Sequence, residues 1–201
     1  MNVICVPSGP LQANSYIVYE NKDEAIIIDA GGYNEIAKFL EKNAITPKYL
    51  LLTHGHFDHC LGAKDFQENG CKVYVSRKDV EQIKKGLFTE SYDMLYRPVE
   101  ADGYLSEGRM VLSGVTVEVI DTPGHTEGGV SFLVDDCLFT GDTLFHNNIG
   151  RTDLFGGDLK KIKESLKKLF SLEGDYRVYP GHGEPTILSE ERAFFAKWLK
   201  L

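Results

Sequence analysis

The chain has 201 residues, of which 42% are hydrophobic, and this size and composition are typical of a globular protein with a substantial core. A formal net charge of −8 and a pI near 5.3 argue against binding to nucleic acid or to an anionic membrane surface. The N-terminal residues show no basic segment and no long apolar run, so the sequence predicts no signal peptide and a cytoplasmic protein.

Strands and helices are mixed in the first half of the chain. Apolar and β-branched runs predict four strands, at Val3–Val6, Ser15–Tyr19, Ala25–Ile28 and Tyr49–Thr53. Apolar residues at helical spacing predict a helix from about Asn34 to Asn43. A further helix that includes Leu61 and Phe66 is predicted after the fourth strand.

The second half repeats this plan loosely. Strands are predicted at Val115–Asp121, Val130–Val134, Cys137–Thr140 and Arg177–Tyr179. An amphipathic helix is predicted from Leu159 to Phe170, and a closing helix begins near Ser189. The aromatic-rich segment Gly86–Gly103 is predicted to pack on the core rather than to form a lid. Because no low-complexity linker divides the chain, we expect one domain over residues 1–201.

Five of the six histidines fall into three short motifs, each directly after a predicted strand. The motifs are Thr53-His54-Gly55-His56-Phe57-Asp58-His59, Pro123-Gly124-His125 and Pro180-Gly181-His182, and Asp142 follows a further strand. Imidazole and carboxylate are the ligands that borderline divalent ions prefer. Seven such groups suit two ions rather than one, so the sequence predicts a dinuclear metal centre.

The three motifs and Asp142 differ in how strongly they indicate metal. The dense His-x-His-x-Asp-His motif is a strong indication, whereas His125 and His182 alone could be ordinary turn residues after Pro-Gly. Asp142 could form an Asx-turn, but a carboxylate can also bridge two ions about 3.5–4 Å apart. His146, just beyond Asp142, is predicted to be a polar loop residue and not a ligand.

The motifs resemble those of the metallo-β-lactamase superfamily along the length of the chain. A finer resemblance, to the short bacterial form of glyoxalase II (hydroxyacylglutathione hydrolase), is carried by Asp121–Gly129, Gly150–Asp153 and Tyr179–Gly183. The resemblance implies an α/β fold, the four-layer αβ/βα sandwich, with metals at one edge. Full-length glyoxalase II enzymes carry a C-terminal helical extension that helps to bind glutathione, and this sequence has no such segment before Leu201, which leaves the thiol carrier open.

The resemblance also implies a role for each site residue. The implied ligands are His54, His56 and His125 for the first ion, Asp58, His59 and His182 for the second, and Asp142 as a bridge. Asp29 resembles the family's acid that orients a ligand or the metal loop, although a loop cap is an equal alternative. Arg151 is a candidate for binding a substrate carboxylate, and an ion pair with Asp153 is the simpler interpretation.

The implied reaction is hydrolysis of a small-molecule thioester. A hydroxide shared by two ions, with Asp142 bridging them, would attack the carbonyl while Asp58 holds or relays a proton. Zinc is the expected metal, and iron and manganese accept the same ligands. Three alternatives stay open: a persulfide dioxygenase with one iron on His54, His125 and Asp142, a lactonase of the same fold, and a metal-binding scaffold without catalysis.

The four cysteines are scattered and form no Cys-x-x-Cys pair. In a cytosolic protein such residues are more often buried thiols than disulfides, so we predict buried, free thiols.

Overall fold

The computed structural model describes residues 1–86 and 95–200. The chain forms two compact units, Met1–Leu105 with Val111–Val115 and Ser106–Met110 with Thr116–Leu201. Each unit is built around one sheet, in agreement with the two similar halves that the sequence predicts. In the described parts of the chain, no helix has the length and apolar character needed to cross a membrane.

The sheet of the first unit has its strands in sequence order. They are β1 (Asn2–Ser8), β2 (Ala13–Tyr19), β3 (Ala25–Ile28), β4 (Pro47–Leu51), β5 (Lys72–Ser76) and β6 (Gly103–Leu105). The first two pairings are antiparallel, and β3, β4, β5 and β6 run parallel to one another. All four residues of β3 are buried, as expected for an inner strand of a parallel sheet.

The helices of the first unit connect these parallel strands. They are α1 (Tyr33–Asn43), α2 (Phe57–Cys60), α3 (Ala63–Glu68) and α4 (Val80–Lys85), and a 3-10 turn at Arg77–Asp79 precedes the last. The predicted α1 is confirmed, with Ile36 and Leu40 buried, and Ala44 in the left-handed conformation ends it.

Two sequence predictions for the first unit need correction. The fourth strand ends at Leu51 and not at Thr53, because the Thr53 N–H donates to an Asp29 carboxylate oxygen at 2.7 Å instead of to a neighbouring strand. The structure has two short helices where a single helix was predicted, and Leu61 and Gly62 separate them. There the Gly62 N–H donates to the carbonyl of Ala30 at 2.9 Å.

The segment Gly86–Gly103 is partly confirmed as packed. Val99 is fully buried and Tyr96 packs against the same core cluster, which also contains Ile27, Leu50 and Val73. The remainder of that prediction, residues 87–94, lies outside the described residues.

The sheet of the second unit has the strand order β14-β13-β10-β9-β8-β7. Its strands are β7 (Gly108–Leu112), β8 (Val115–Asp121), β9 (Val130–Val134), β10 (Cys137–Gly141), β13 (Arg177–Pro180) and β14 (Thr186–Ile187), and β11 (Leu144–Phe145) pairs with β12 (Asn148–Ile149) as a small hairpin. Because β9 is antiparallel to both β8 and β10, and β13 is parallel to β10, the strands β8, β10 and β13 point the same way.

Two long helices complete the second unit, α5 (Leu159–Phe170) and α6 (Leu188–Leu199). The Asp158 carboxylate begins α5 by accepting hydrogen bonds from the N–H groups of Lys160 and Lys161. Both helices contribute to a core cluster with the inner strands, whose fully buried members include Leu138 and Val178. The predicted helices and strands of this half are confirmed, with α6 beginning one residue earlier than expected.

Candidate metal centre

The first unit places its candidate ligands, and two acids that hydrogen-bond to the loop carrying them, at the carboxyl ends of three neighbouring parallel strands. Asp29 follows β3, the loop of residues 53–59 follows β4, and Asp79 ends the turn that follows β5. Loops at this edge of a parallel sheet lie side by side, so residues far apart in sequence meet there. The predicted ligands His54, His56, Asp58 and His59 are all buried at this edge.

Asp29 fixes both ends of that loop. Its carboxylate accepts hydrogen bonds from the Thr53 N–H at 2.7 Å and the Thr53 hydroxyl at 2.7 Å, and it lies 2.8 Å from Nδ1 of His59. One oxygen of Asp29 and ring nitrogens of His54 and His59 lie within 4.8 Å of one another. Both oxygens of this carboxylate already have hydrogen-bond partners, which is the arrangement expected of an orienting acid and of a loop cap alike.

The same contacts assign the protonated nitrogens of His59 and His54. Nδ1 of His59 donates to the Asp29 carboxylate, so its lone pair lies on Nε2. The only proton of the Thr53 hydroxyl goes to Asp29, so this hydroxyl accepts from Nδ1 of His54 at 3.0 Å. Both imidazoles therefore present Nε2 as the electron-pair donor, as a metal ligand requires.

The second unit places its candidate ligands at the carboxyl ends of strands that point the same way. His125 follows β8, Asp142 follows β10 and His182 follows β13. In the Pro-Gly-His motif after β8, Gly124 has a φ of +138°, and a Cβ there would collide with the Ile162 backbone. Only glycine allows this turn to pass so close to α5, which explains the residue before His125.

Asp142 lies close to both histidines of the second unit. Its Oδ2 is 3.3 Å from Nε2 of His125 and 3.7 Å from Nε2 of His182. Nδ1 of His125 lies 2.7 Å from the main-chain carbonyl of Arg151, to which it donates, so here too Nε2 carries the lone pair. The side chains of His125 and Asp142 are 6% and 11% exposed, and that of His182 is 31% exposed, so His182 lies nearest to solvent.

Each unit contains a pair of donors at the spacing of two ligands to one divalent ion. Two ligands bound tetrahedrally at about 2.0–2.1 Å lie roughly 3.3 Å apart. The contact between His125 and Asp142 is 3.3 Å, and Nε2 of His59 lies 3.6 Å from Oδ2 of Asp58. Nitrogen and oxygen donors with Nδ1 fixed by the protein are the arrangement that zinc, iron and manganese sites use.

Two further predicted residues have defined surroundings. The Arg151 guanidinium forms two hydrogen bonds with Asp153, at 2.7 and 2.8 Å, which is the simpler of the two interpretations given above. This pairing lowers the pKa of Asp153 to about 2. His146 is exposed in the turn between β11 and β12, as expected for a polar loop residue.

Sequence reasoning missed two fully buried carboxylates. Asp79 accepts a hydrogen bond from the Gly55 N–H at 3.0 Å, within the first ligand loop. Glu191 on α6 accepts from the Thr186 hydroxyl at 2.7 Å and from the Asn147 N–H at 2.9 Å. In the sequence both acids stand among other charged residues, which favours an exposed position and gives no signal of burial.

All four cysteines are free thiols, as predicted, but only Cys60, Cys71 and Cys137 are buried, and Cys5 is exposed. Burial raises the pKa of Cys60, next to His59, to about 12. Its thiol lies 3.2 Å from the carbonyl of His56, to which it donates, so Cys60 packs as a neutral group behind the ligand loop.

Comparison with known proteins identifies the class. Residues 8–182 match the family model of the metallo-beta-lactamase superfamily, and the chain belongs to this superfamily. Its members bind divalent metals, and the chain is accordingly of the metallo-hydrolase type.

Individual relatives span nearly the whole chain. Hydroxyacylglutathione hydrolase GloC of Haemophilus influenzae is 31% identical over 96% of this chain and 95% of its own length. The crystal structure of BLEG-1 B3 metallo-beta-lactamase is 34% identical, covers 96% of this chain and 97% of its own, and superposes with a TM-score of 0.87. That of TTHA1623 in a di-iron-bound form is 33% identical over 94% and 96% of the two chains, with a TM-score of 0.85. These similarities confirm the predicted metallo-β-lactamase fold.

Proposed function

We propose that this protein is a dinuclear metal-dependent hydrolase that cleaves a thioester, of the hydroxyacylglutathione hydrolase type. The observation that carries the proposal is the Asp142 carboxylate, which lies within 4 Å of Nε2 atoms of both His125 and His182. Such a carboxylate suits the bridging position between two ions. Similarity to GloC over nearly the full length of both chains supports the thioester as the substrate class.

The proposed ligand assignment uses all seven residues. His54, His56 and His125 would hold one ion, Asp58, His59 and His182 would hold the other, and Asp142 would bind both. We propose zinc as the metal, and the similarity to a protein crystallised in a di-iron-bound form makes iron the first alternative to measure.

The bound ions would supply a hydroxide near neutral pH and polarise the carbonyl that it attacks. The chain's own residues position this chemistry. Hydrogen bonds on Nδ1 keep His54, His59 and His125 in the tautomer that donates from Nε2. The Asp58 side chain, which is 10% exposed, can hold the proton released at the attacking oxygen. A thiolate leaves without strong protonation, so the reaction needs neither a general acid nor a covalent nucleophile.

A β-lactam is the second candidate substrate. It is favoured by the similarity to BLEG-1 B3 metallo-beta-lactamase, which has a higher sequence identity to this chain than GloC has. Both substrates contain an activated carbonyl, so the same groups could act on either, and the leaving group distinguishes them.

One preparation tests the proposal. Metal content is measured by elemental analysis, and the same protein is assayed with S-lactoylglutathione, a chromogenic cephalosporin, a homoserine lactone, and glutathione persulfide with oxygen uptake. We expect close to two ions per chain and a kcat/KM for the thioester at least about 100-fold above that for the other substrates.

Three results would contradict it. Oxygen uptake with one iron per chain would instead support a persulfide dioxygenase, in which His54, His125 and Asp142 bind the iron. Faster turnover of the cephalosporin would favour the second candidate. Two bound ions without hydrolysis of any of these compounds would support the alternative that the protein is a metal-binding scaffold without catalysis.

A further inference from the structure

Asp79 is a buried acid that the reaction proposed above does not use. It ends the 3-10 turn after β5 and is fully inaccessible to solvent. A carboxylate in such a place must receive hydrogen bonds on its oxygens, because burial removes the water that would otherwise solvate its charge. Its partners therefore show what this acid stabilises.

Both oxygens of Asp79 have a donor nearby. Oδ2 accepts from the Gly55 N–H at 3.0 Å, and Oδ1 accepts from Nε2 of Gln82 at 3.1 Å. Gln82 lies on α4 and is itself buried, so it holds Asp79 in one rotamer. The carboxylate thus joins α4 to the backbone of the ligand loop, at the residue between His54 and His56.

Close packing accompanies this hydrogen bond. A Cβ built on Gly55 would lie 2.8 Å from Cβ of Gln82 and 3.1 Å from Cβ of Asp79. The loop backbone is therefore in direct contact with α4, and a glycine at position 55 is what permits it. On either side of this glycine, the rings of His54 and His56 lie 4.8 Å apart with their planes at 84°.

Asp29 and Asp79 hold different parts of the same loop. Asp29 bonds Thr53 and His59, the two ends of the loop, whereas Asp79 bonds the peptide in its middle. A shift of that peptide would change the separation and the angle of the two flanking imidazoles together.

We propose that Asp79 is a positioning residue for the metal centre, which fixes the Gly55 peptide and with it the mutual orientation of His54 and His56. This inference rests on the proposed function in one respect, that these two histidines bind the same ion. It concerns affinity and geometry of metal binding, and it does not depend on which substrate is hydrolysed.

The test compares three variants of the whole protein, stripped of metal and titrated with Zn²⁺ against a chelator and with Co²⁺ by visible spectroscopy. Asp79→Ala removes the acceptor for Gly55. Asp79→Asn keeps it, because the new amide oxygen can accept from Gly55. Its NH₂ can donate to Oε1 of Gln82 once the Gln82 amide turns over, since that oxygen has no partner among the described residues. Ile83→Val is the matched control, since Ile83 is a fully buried core residue on the same helix.

For Asp79→Ala we expect the affinity for one of the two Zn²⁺ ions to fall about 10–100-fold, with altered cobalt absorption bands. Asp79→Asn should stay within about threefold of the wild type, although it removes the same charge. Ile83→Val should lower the melting temperature and leave zinc affinity and the cobalt spectrum unchanged. If Asp79→Ala does not fold, Gly55→Ala forces the same peptide away from α4 with Asp79 intact, and we expect the same loss of affinity.

Several outcomes overturn the inference. Wild-type affinity and spectrum in Asp79→Ala would do so, and so would an equal loss of affinity in Ile83→Val, because the effect would then follow stability alone. Absence of metal binding by the wild-type protein would remove both this inference and the proposed function. Metal binding that responds as expected in a protein inert to thioesters would remove the proposed function only.

Discussion

The two units hold their candidate ligands in different ways. In the first unit, four candidate ligands come from a single loop, and the side chains of Asp29, Asp79 and Thr53 form hydrogen bonds with groups of that loop. In the second unit, three ligands come from three separate loops, and the group that orients His125 is the main-chain carbonyl of Arg151. Substitution can remove a side chain but not a carbonyl, so the first set should be the more sensitive to changes in its supporting residues.

The largest expected effect is the loss of a ligand, and it should be the same in both units. We expect His54→Ala and Asp142→Ala each to reduce bound metal and to lower kcat/KM by at least about 100-fold, because an ion supplies several kcal/mol of transition-state stabilisation. Elemental analysis and thioester assays measure the two losses together. The control is His146→Ala, in an exposed turn, which should retain metal and activity. Loss of activity with both ions retained would contradict the assignment of that ligand.

Removal of an orienting side chain should have the next largest effect. Asp29→Ala leaves the Thr53 N–H, the Thr53 hydroxyl and Nδ1 of His59 without their acceptor. We expect the free energy of unfolding to fall by about 3 kcal/mol and metal affinity to fall about 10–100-fold. Denaturant titration and chelator competition measure these changes.

The corresponding change in the second unit is the control. Arg151→Ala keeps the carbonyl that orients His125, so metal affinity should stay within about twofold of the wild type. An equal loss of metal in the two variants would break the comparison between the units.

A smaller effect is expected on substrate binding. If Arg151 binds a substrate carboxylate, Arg151→Ala should raise KM about tenfold, because one charge-assisted hydrogen bond to the substrate is lost. Both kcat and the amount of bound metal should stay unchanged. Asp153→Asn is the informative partner variant, because it releases the guanidinium from its present ion pair and should lower KM. Steady-state kinetics decide the matter, and an unchanged KM in both variants would leave Arg151 with the structural pairing alone.

The smallest expected effect is on the pH dependence of stability, and it differs between the buried thiols of the two units. Burial raises the pKa of Cys71 in the first unit to about 12 and that of Cys137 in the second to about 11, from an unfolded value of 9.0. Since the folded state favours the neutral thiol, this stabilisation is complete below pH 9 and is lost as the pH rises toward the folded pKa. At pH 10 each thiol should contribute about 1 kcal/mol less than at pH 7.

Alanine variants measure this loss. The free energy of unfolding of the metal-free protein is measured between pH 7 and 12. It should fall less steeply with pH in Cys71→Ala than in the wild type. The contribution of Cys137 should level off about one pH unit before that of Cys71. Identical pH profiles for the wild type and both variants would show that these thiols do not titrate as described.

Much of the secondary structure and part of the candidate site could be predicted, because the sequence patterns that indicate them lie within short segments of the chain. The candidate ligand loop of the first unit lies within seven consecutive residues after an apolar strand. The strand β3 is a continuous apolar run, and α1 and α5 have apolar residues at helical spacing. His125, Asp142 and His182 could be proposed because each follows a predicted strand, because the two histidines share a Pro-Gly context, and because the motifs resemble those of the superfamily. That β8, β10 and β13 all point the same way is a property of the sheet, and the sequence alone does not contain it.

The supporting acids could not be predicted for a physical reason. Asp79 stands in Ser76-Arg77-Lys78-Asp79, which has the composition of an exposed turn. It is buried because β5 pairs beside β4 and so brings this turn against Gly55. The helix interruption at Gly62 has a similar origin, since it follows from contact with the Ala30 carbonyl, 32 residues earlier in the chain.

Glu191 has a consequence for how this protein tolerates cleavage. Its two oxygens bind Thr186, four residues after His182, and Asn147, five residues after Asp142. Loss of α6 after proteolysis would therefore leave both stretches of chain without this partner at once. The C-terminal helix thus supports the stretches of chain that follow Asp142 and His182. We expect limited proteolysis in this helix to abolish activity before the rest of the protein unfolds.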